Sequence, residues 1–219
     1  MPGRPPGSRR PLLSSSFLCA ILATACVGTA NSVMAQFGPS SDPICRLRIP
    51  SDGAMSAVQL EYVVKAAMLY RCAELVQWPS NAAAAAEPTL TIGVLGKNRF
   101  GKSLDRLAGK TVSGRKLVVR KFSRVSKAAS CQLVFVSASE IKRTPKILET
   151  LAAFPVLTVG EAPGFAELGG MINLLLQDKY IKLEVNPVAA EKARIVLDPR
   201  LVKMALPEPA LTPNASAGS

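Results

Sequence analysis

The stretch that decides the fold runs from Thr89 to Ala108 and reads TLTIGVLGKNRFGKSLDRLA. It begins with the apolar, β-branched run Leu90–Leu95, turns at Gly96 and Gly101, and then carries leucines at helical spacing. A short apolar, β-branched run is typical of a buried strand, and leucines at helical spacing are typical of a helix. The stretch is therefore predicted to be a strand followed by a helix. This stretch is therefore the first βα unit of an α/β fold.

The same stretch contains GKNRFGKS at 96–103, a full match to the phosphate-loop pattern G-x-x-x-x-G-K-[ST]. A working loop needs small residues so that its amides can wrap a phosphate, whereas Lys97, Arg99 and Phe100 are bulky. The apolar runs near 133–137 and 156–159 end in Ser and Gly, without a carboxylate to hold a metal-bound water. A chance match in a chain of this length is on the order of one in a hundred. We interpret the pattern as a coincidence and expect no nucleotide cofactor.

The N-terminus has the pattern of an export signal. Three arginines precede a mostly apolar segment, and Val33-Met34-Ala35 offers small residues at a cleavage site. Residues 1–35 are therefore predicted to be a signal peptide for the periplasm, with an uncleaved anchor as the alternative. Ser8–Leu13 also resembles a twin-arginine signal, and the sequence before Cys26 is a poor lipid-attachment box, so the export route stays open.

Removing residues 1–35 leaves 184 residues with 24 basic and 15 acidic side chains, a net charge of about +9. Such a surface favours acidic partners or anionic lipid headgroups. Nucleic acid is disfavoured, because the chain is predicted to be exported, has only eleven aromatic residues and spreads its basic residues over every predicted element. We expect a solvated basic surface.

The mature chain keeps three cysteines, Cys45, Cys72 and Cys131, and the protein has no histidine. An odd number in an oxidising compartment implies one bridge and one spare thiol. Cys72 is the first partner to consider for Cys131, and Cys45 is the competing one. Without histidine, Ser-His and Cys-His catalysis and His-based zinc sites are excluded.

The remaining elements follow from periodicity and turn residues. A capping box at Ser56–Gln59 predicts a helix that ends at Trp78-Pro79. Further strands, helices and a hairpin are predicted. They are strands 117–122, 132–136 and 156–159, a helix with Thr144 as its N-cap and Pro145 as its first residue, a hairpin of 171–176 with 180–185, and short helices at 187–193 and after Asp198-Pro199. This order predicts one α/β domain at 56–206, with a mixed sheet flanked by helices, an extended lead-in at 36–55 and a disordered tail at 207–219.

For each motif that resembles a catalytic one, a purely structural role explains the residues better. Ser113-Gly114-Arg115-Lys116 spells S-x-x-K, but that chemistry needs both residues on one helix, and here a turn enters a strand. The carboxylates show no paired pattern for acid/base work. We therefore predict a protein that is not an enzyme and holds no metal.

The Gly-rich stretch from Pro163 to Asn173 is the most unusual one left. Its three glycines permit a tight backbone path, while Phe165 and Leu168 are large apolar residues in a predicted loop. One interpretation tucks both side chains into the core. The other makes the stretch a surface that docks a partner.

Several of these pieces together resemble the YfiR family of small exported bacterial proteins, over about Val58 to Ala205. The segments that carry the likeness are 65–70 to Trp78-Pro79, 92–96 with Phe100-Gly101, 109–115, 131–140, 156–159, Gly164-Phe165 to 169–173, and 184–186. In the family pattern Phe100-Gly101 recurs without the Lys-Ser that follows here. Cys131 matches a family cysteine, whereas the second family pair, around the Gly-rich loop, has no counterpart.

The resemblance implies a periplasmic α/β repressor that binds the periplasmic sensor region of an inner-membrane diguanylate cyclase. Inhibition of the cyclase would lower the level of cyclic di-GMP and reduce biofilm formation. We expect the contact residues to be Phe165, Glu167, Leu168, Met171 and Ile172. A homodimer and a peripheral contact with the inner membrane are further expectations. The alternatives are a small-ligand sensory module for a membrane kinase, with a pocket lined by the Gly-rich loop and Trp78, and a nucleotide enzyme that needs Lys102.

Overall fold

The computed structural model describes the backbone of Leu47–Arg48, and residues 56–79 and 88–205. The predicted signal peptide 1–35, the tail 207–219, Cys45 and most of the lead-in lie outside these residues, and their boundaries stay predictions. Within the lead-in, Leu47–Arg48 is extended and pairs with a strand of the domain. None of the helices in the described ranges combines the length and apolar character needed to cross a bilayer.

Ten strands belong to two sheets in the described part of the chain. They are β1 Leu47–Arg48, β2 Val76–Gln77, β3 Thr89–Leu95, β4 Thr111–Val112, β5 Arg115–Phe122, β6 Leu133–Val136, β7 Leu157–Gly160, β8 Ile172–Gln177, β9 Tyr180–Val185 and β10 Val196–Leu197. The main sheet has the order β1-β9-β8-β7-β6-β3-β5-β4, and β10 pairs with β2 in a small second sheet. The mixed sheet and the C-terminal hairpin of β8 and β9 confirm the predicted fold class.

The helices lie between the strands in the predicted alternation. They are α1 Ala57–Glu74, α2 Lys102–Asp105, α3 Val125–Ala128, a 3-10 helix Ala138–Arg143, α4 Thr144–Leu151, α5 Pro187–Lys192 and α6 Pro199–Ala205. The hairpin at 171–185 and the short helices after Asn186 and Asp198 are therefore confirmed.

The five central strands β5, β3, β6, β7 and β8 are parallel. The chain leaves β3 for β5 on one side and then crosses back to β6 on the other side. This reversal places a topological switch point at the carboxyl ends of β3 and β6, where open α/β sheets usually bind ligands. The fold thus directs attention to the residues that follow Leu95 and Val136.

Helix α1 begins as predicted and ends earlier than predicted. The Ser56 hydroxyl accepts from the Gln59 amide, and the Gln59 side chain accepts from the Ser56 amide, which completes the capping box. The helix stops at Glu74, before Trp78-Pro79, because Val76–Gln77 leaves it to pair with β10. Buried residues surround most of α1, so the helix is covered on more than one face.

The alternation of β6 separates the core into two layers. Val134 and Val136 face one side, where they pack with Leu95, Cys131 and apolar residues of α4. Phe135 faces the other side, and its ring centroid lies 4.8 Å from that of Phe100. Phe100 in turn contacts Tyr62 of α1 at 5.2 Å, so α1 covers the second face. The two faces are therefore covered by different helices, as a doubly wound sheet requires.

Two predicted helices differ from the structure. After Gly101 the helix lasts one turn, Lys102–Asp105, and Leu107 is buried in the turns that follow. Thr144 is the first residue of α4 and not its cap, because a 3-10 helix runs directly into it and the Thr144 hydroxyl donates to the Glu140 carbonyl. The Gly109 amide donates to the Leu117 carbonyl at 2.9 Å, and the Leu117 amide donates to the Lys110 carbonyl at 2.8 Å, so the chain after α2 bonds to β5 instead of extending the helix.

Candidate functional site

The crevice at the switch point is filled by the chain itself. Gly96 leaves β3 with φ +90°, and a Cβ at this position would lie 2.6 Å from the Ser139 hydroxyl and 2.7 Å from Cγ of Glu140. The 3-10 helix after β6 thus packs directly on the end of β3. A glycine is required at position 96 both by its backbone angle and by this close approach.

The phosphate-loop pattern folds into a loop in which two of the amides already have side-chain partners. The Lys97 amide donates to the Ser139 hydroxyl at 2.9 Å, and the Phe100 amide donates to Oδ1 of Asn98 at 3.0 Å. Phe100 points into the core, and the Glu140 side chain stands beside Gly96. A phosphate would have to displace these bonds and approach a carboxylate. This geometry argues against a nucleotide at the pattern.

Ser113 and Lys116 of the S-x-x-K string do not share a helix. Ser113 and Gly114 have φ of +49° and +78° and form the two-residue turn between β4 and β5. Positive φ at both central residues is typical of a type I′ hairpin turn. The string is a turn that enters a strand, as the sequence predicted.

A buried carboxylate lies at the neighbouring strand end. Glu161 follows β7, and its side chain is 2% exposed. Its Oε2 accepts from the Lys65 ammonium at 2.7 Å and from the Tyr62 hydroxyl at 2.9 Å. Its Oε1 accepts from the Ala138 amide at 3.0 Å and from the Ser137 hydroxyl at 3.3 Å. One carboxylate therefore joins α1, β7 and the segment after β6.

The electrostatics of this cluster keep Glu161 ionised. Burial alone would raise the pKa of Glu161, but the charge and hydrogen bond of Lys65 and the hydrogen bonds from Ala138 and Tyr62 outweigh it, so its pKa lies below the ordinary value. The pKa of the Tyr62 phenol is raised, first by burial and then by the Glu161 charge. All partners of the carboxylate hold it as an anion. The cluster is therefore suited to anchoring rather than to proton transfer.

Sequence reasoning found only part of this cluster. The i, i+4 spacing of Glu61 and Lys65 in the sequence predicts an ion pair, and the structure confirms it at 2.5 Å. Glu161 was missed, although a glutamate directly after an apolar strand was a usable signal. Lys65 is 3% exposed within the buried surface of α1, and a lysine there indicates a buried partner.

The Gly-rich stretch forms a loop closed around one aromatic ring. Phe165 is 1% exposed and packs into the layer that holds Val134, Val136 and Ile147. A Cβ at Gly160 or at Gly170 would overlap the Phe165 ring. The two glycines are thus required because the ring lies between them.

Two asparagines fix the outer part of this loop. Nδ2 of Asn173 donates to the Ala162 carbonyl at 2.9 Å, and Nδ2 of Asn186 donates to the Ala166 carbonyl at 2.9 Å. The Asn186 amide also donates to the Met171 carbonyl at 2.8 Å. The loop is therefore tied to the hairpin strands at several points along its length.

The five predicted contact residues divide into two groups. Phe165, Met171 and Ile172 are buried, with exposures of 5% or less, so they do not lie on a docking surface in this structure. Leu168 is 49% exposed and Glu167 is also exposed. The expected contact set is therefore reduced to Glu167 and Leu168. Phe165 folds inward between Gly160 and Gly170, and Met171 and Ile172 are buried at the start of β8. Their role in binding a partner stays a prediction.

Cys72 and Cys131 are free, buried thiols in the structure, so the bridge first expected between them is not formed. Cys131 belongs to the layer under α4, whereas Cys72 lies seven residues after Lys65 on α1, the helix that covers the other face. Because Lys65 reaches Glu161 from the α1 side and Cys72 follows two helical turns later, we infer that the two cysteines lie on opposite faces of the sheet. Burial raises the pKa of Cys72 to about 12 and that of Cys131 to about 11, with Arg120 opposing the shift at Cys131. A bridge to Cys45 lies outside the described residues.

A groove of about 280 Å³ lies away from the Gly-rich loop, at the amino end of β7. It is lined by Pro79, 152–155 and 192–194. The pocket expected for a small-ligand module was to be lined by the Gly-rich loop and Trp78, and neither lines this groove. Trp78 is instead half-buried, and its Nε1 donates to the Gln132 carbonyl at 3.0 Å. The described residues also contain no group of three or more acidic or cysteine side chains arranged for a metal ion.

Comparison with known proteins identifies a family for this chain. No curated protein matched the chain. The sequence model of the YfiR/HmsC-like family matches residues 62–206, which includes the buried carboxylate cluster, the Gly-rich loop and the hairpin. This match covers well over half of the chain. The chain therefore belongs to the YfiR/HmsC-like family.

Proposed function

We propose that this protein is an exported regulator that binds the periplasmic sensor region of an inner-membrane diguanylate cyclase and holds the enzyme inactive. The consequence is a lower level of cyclic di-GMP and less biofilm. The observation that carries the proposal is the family match over residues 62–206, because the YfiR-like family is one of periplasmic regulators rather than catalysts.

The Gly-rich loop supplies the contact surface in this proposal. Its inner side is anchored by Phe165 between Gly160 and Gly170, and its start is anchored by Glu161. Leu168 and Glu167 project from this rigid base. A loop that is already ordered loses little conformational entropy when it binds, so a small exposed surface can contribute usefully to affinity.

Inhibition requires only that the regulator bind one state of the sensor more tightly than the other. A ligand shifts an equilibrium by its differential affinity for the two states, and a ratio of about a hundred is enough to move a balanced sensor almost wholly to the inactive state. No chemical step on the regulator is needed. The proposed function is therefore compatible with a cluster that anchors an anion instead of moving protons.

The proposal is tested by measuring diguanylate cyclase activity in membranes that contain the full-length partner enzyme, with and without the purified regulator. We expect the wild type to inhibit and Leu168→Asp to weaken inhibition at least tenfold while the thermal unfolding midpoint stays unchanged. Leu176→Asp is the matched control, since Leu176 is also 49% exposed but lies on the hairpin, on the face opposite Phe165. Inhibition that survives Leu168→Asp, or is lost equally in both variants, would show that the loop is not the contact.

A further inference from the structure

The positive charge of this protein is concentrated at one end of the sheet. Residues 97–127 contain 11 basic and 1 acidic side chain, a net charge of +10. The other described residues contain 12 basic and 10 acidic side chains, a net charge of +2. The expectation that basic residues are spread over every element is therefore wrong.

The segment 97–127 forms one edge of the domain. It consists of the loop after β3, helix α2, the β4–β5 hairpin and helix α3. Helix α2 follows the loop whose Phe100 packs under α1, and α3 packs in the layer of Cys131, so the charges flank β5 on both faces of the sheet. We call this set of side chains the basic edge.

Most side chains of the basic edge are exposed, and Asp105 is the one acidic residue of the segment. Ten of the eleven are exposed, all except Arg115. None of those ten forms an ion pair with a described residue, whereas Lys65, Arg71, Arg143, Lys182 and Arg200 elsewhere in the domain do. The positive potential of this edge is thus not neutralised within the described part of the chain, and it extends toward solvent.

Protection of a strand edge explains only part of the pattern. Strand β4 covers the outer side of β5 at Arg115 and Lys116. From Val118 to Phe122, β3 pairs with the inner side of β5, and the sheet order places no described strand on its outer side. Basic residues on such an edge, here Arg120 and Lys121, discourage pairing with another chain. Lys116 lies on the part of β5 that β4 already covers, and the remaining exposed cations lie on loops and helices that have no free edge to protect. A second function of the charge is therefore indicated.

The chemistry of the basic edge fits a layer of anionic headgroups better than a nucleic acid or a protein surface. Its two aromatic residues, Phe100 and Phe122, are buried or half-buried, so no ring is free to stack on bases. None of the exposed large hydrophobic side chains of the described domain falls within 97–127, so the apolar anchors of a protein interface are missing. Many cations spread over two faces without an apolar centre suit a laterally mobile array of phosphates.

We infer that the basic edge docks the protein on anionic phospholipid headgroups of the inner membrane's outer leaflet. This inference rests on the proposed function only in placing the protein beside that membrane. Docking would keep the regulator at the surface where the sensor is anchored, which raises its effective concentration there.

Vesicle co-sedimentation of the full chain, recovered from the exported fraction, tests the inference without any cyclase present. At about 0.15 M salt we expect binding to phosphatidylcholine vesicles that contain about one-third phosphatidylglycerol, no binding to pure phosphatidylcholine, and release at high salt. The variant R120Q/K121Q/R124Q should partition on the order of a hundredfold more weakly. The control K142Q/K146Q/K192Q removes the same charge from exposed positions of the 3-10 helix, α4 and α5 and should partition within a few-fold of wild type.

Two results would overturn the inference: wild type that does not bind the anionic vesicles, or equal weakening in both triple variants, which would show a response to net charge alone. Thermal unfolding of each variant shows whether a loss of binding reflects a loss of fold. Cyclase inhibition is measured separately, with detergent-solubilised full-length enzyme in place of membranes. Failure of lipid binding with intact inhibition, or the reverse, therefore distinguishes this inference from the proposed function.

Discussion

The Lys65 ammonium lies 2.7 Å from Oε2 of Glu161, and the two side chains are 3% and 2% exposed. This ion pair joins the first helix to the residue at which the Gly-rich loop begins. Glu61 gives Lys65 a second carboxylate, and three further donors complete the shell of Glu161. A buried charge pair is tolerated only when its hydrogen bonds are complete, as they are here.

Removing the buried carboxylate should destabilise the domain. Glu161→Gln leaves Lys65 with only Glu61, so we expect the free energy of unfolding at pH 7 to fall by about 3 kcal/mol in urea titrations. Glu149→Gln, on the exposed side of α4, is the matched control and should change it by less than about 0.5 kcal/mol. Equal effects of the two substitutions would show that the ion pair contributes nothing specific.

The same carboxylate should make the free energy of unfolding depend on pH. Because the pKa of Glu161 in the folded state lies below its ordinary value of 4.5, the unfolded chain takes up the proton first as the pH falls. The contribution of Glu161 is therefore complete above about pH 5 and is lost as the pH falls through the lower folded value. The difference in unfolding free energy between wild type and Glu161→Gln should shrink over this range, and a constant difference down to about pH 3 would contradict it.

The ring of Phe165 should be coupled to the glycine at the end of β7. Gly160→Ala places a methyl group where it overlaps the Phe165 ring, and we expect the free energy of unfolding to fall by about 2 kcal/mol. Phe165→Ala should cost about 3 to 4 kcal/mol through its cavity. In the double variant the added alanine occupies vacated space, so its cost should fall below about 0.5 kcal/mol. Additive losses in this double-mutant cycle would mean that the strand backbone, and not the ring, requires glycine.

The turn of the β8–β9 hairpin stores strain that one substitution can release. Asp178 and Lys179 have φ of +49° and +68°, the left-handed region that glycine adopts at little cost. Lys179→Gly should stabilise the domain by about 0.5 to 1 kcal/mol and raise the thermal midpoint by about 2 °C. Lys182→Gly, within strand β9, should instead destabilise it by a similar amount. A lower midpoint for Lys179→Gly would show that its side chain makes a compensating contact.

The two core thiols should remain unbridged in the folded protein. In a Cys45→Ser background, mild oxidation should leave Cys72 and Cys131 both reduced, because the sheet separates them. Their raised pKa values and burial should also slow alkylation in native buffer by at least tenfold relative to urea. Intact mass before and after alkylation counts the thiols. A loss of two protons on oxidation would reveal a bridge and refute the separation.

Local patterns in the sequence were sufficient for most of the elements. The capping box at Ser56, the apolar run into Gly96 and the paired runs around Asp178 each describe interactions within a few residues. Such short-range signals survive folding because the partners are already neighbours in the chain. They failed where a distant segment intervened, as at Val76, which leaves the helix to pair with β10.

The candidate site depended on contacts that no local pattern contains. The partners of Glu161 are Lys65 and Tyr62, which are 96 and 99 residues away. Whether Phe165 or Leu168 faces solvent was decided by the space between Gly160 and Gly170. The excess of basic residues in 97–127 can be counted from the sequence alone. Only the sheet order shows that these residues surround one strand at the edge of the sheet.

The amino-acid sequence by itself determined the α/β class, the order of strands and helices and the family resemblance, because these rest on periodicity, turn residues and spacing. Only the tertiary structure decided which loop residues are exposed, that Cys72 and Cys131 lie on opposite faces, and that a buried ion pair anchors the loop. Burial and charge pairing depend on which distant segments the sheet brings together, and side-chain packing against those segments sets them.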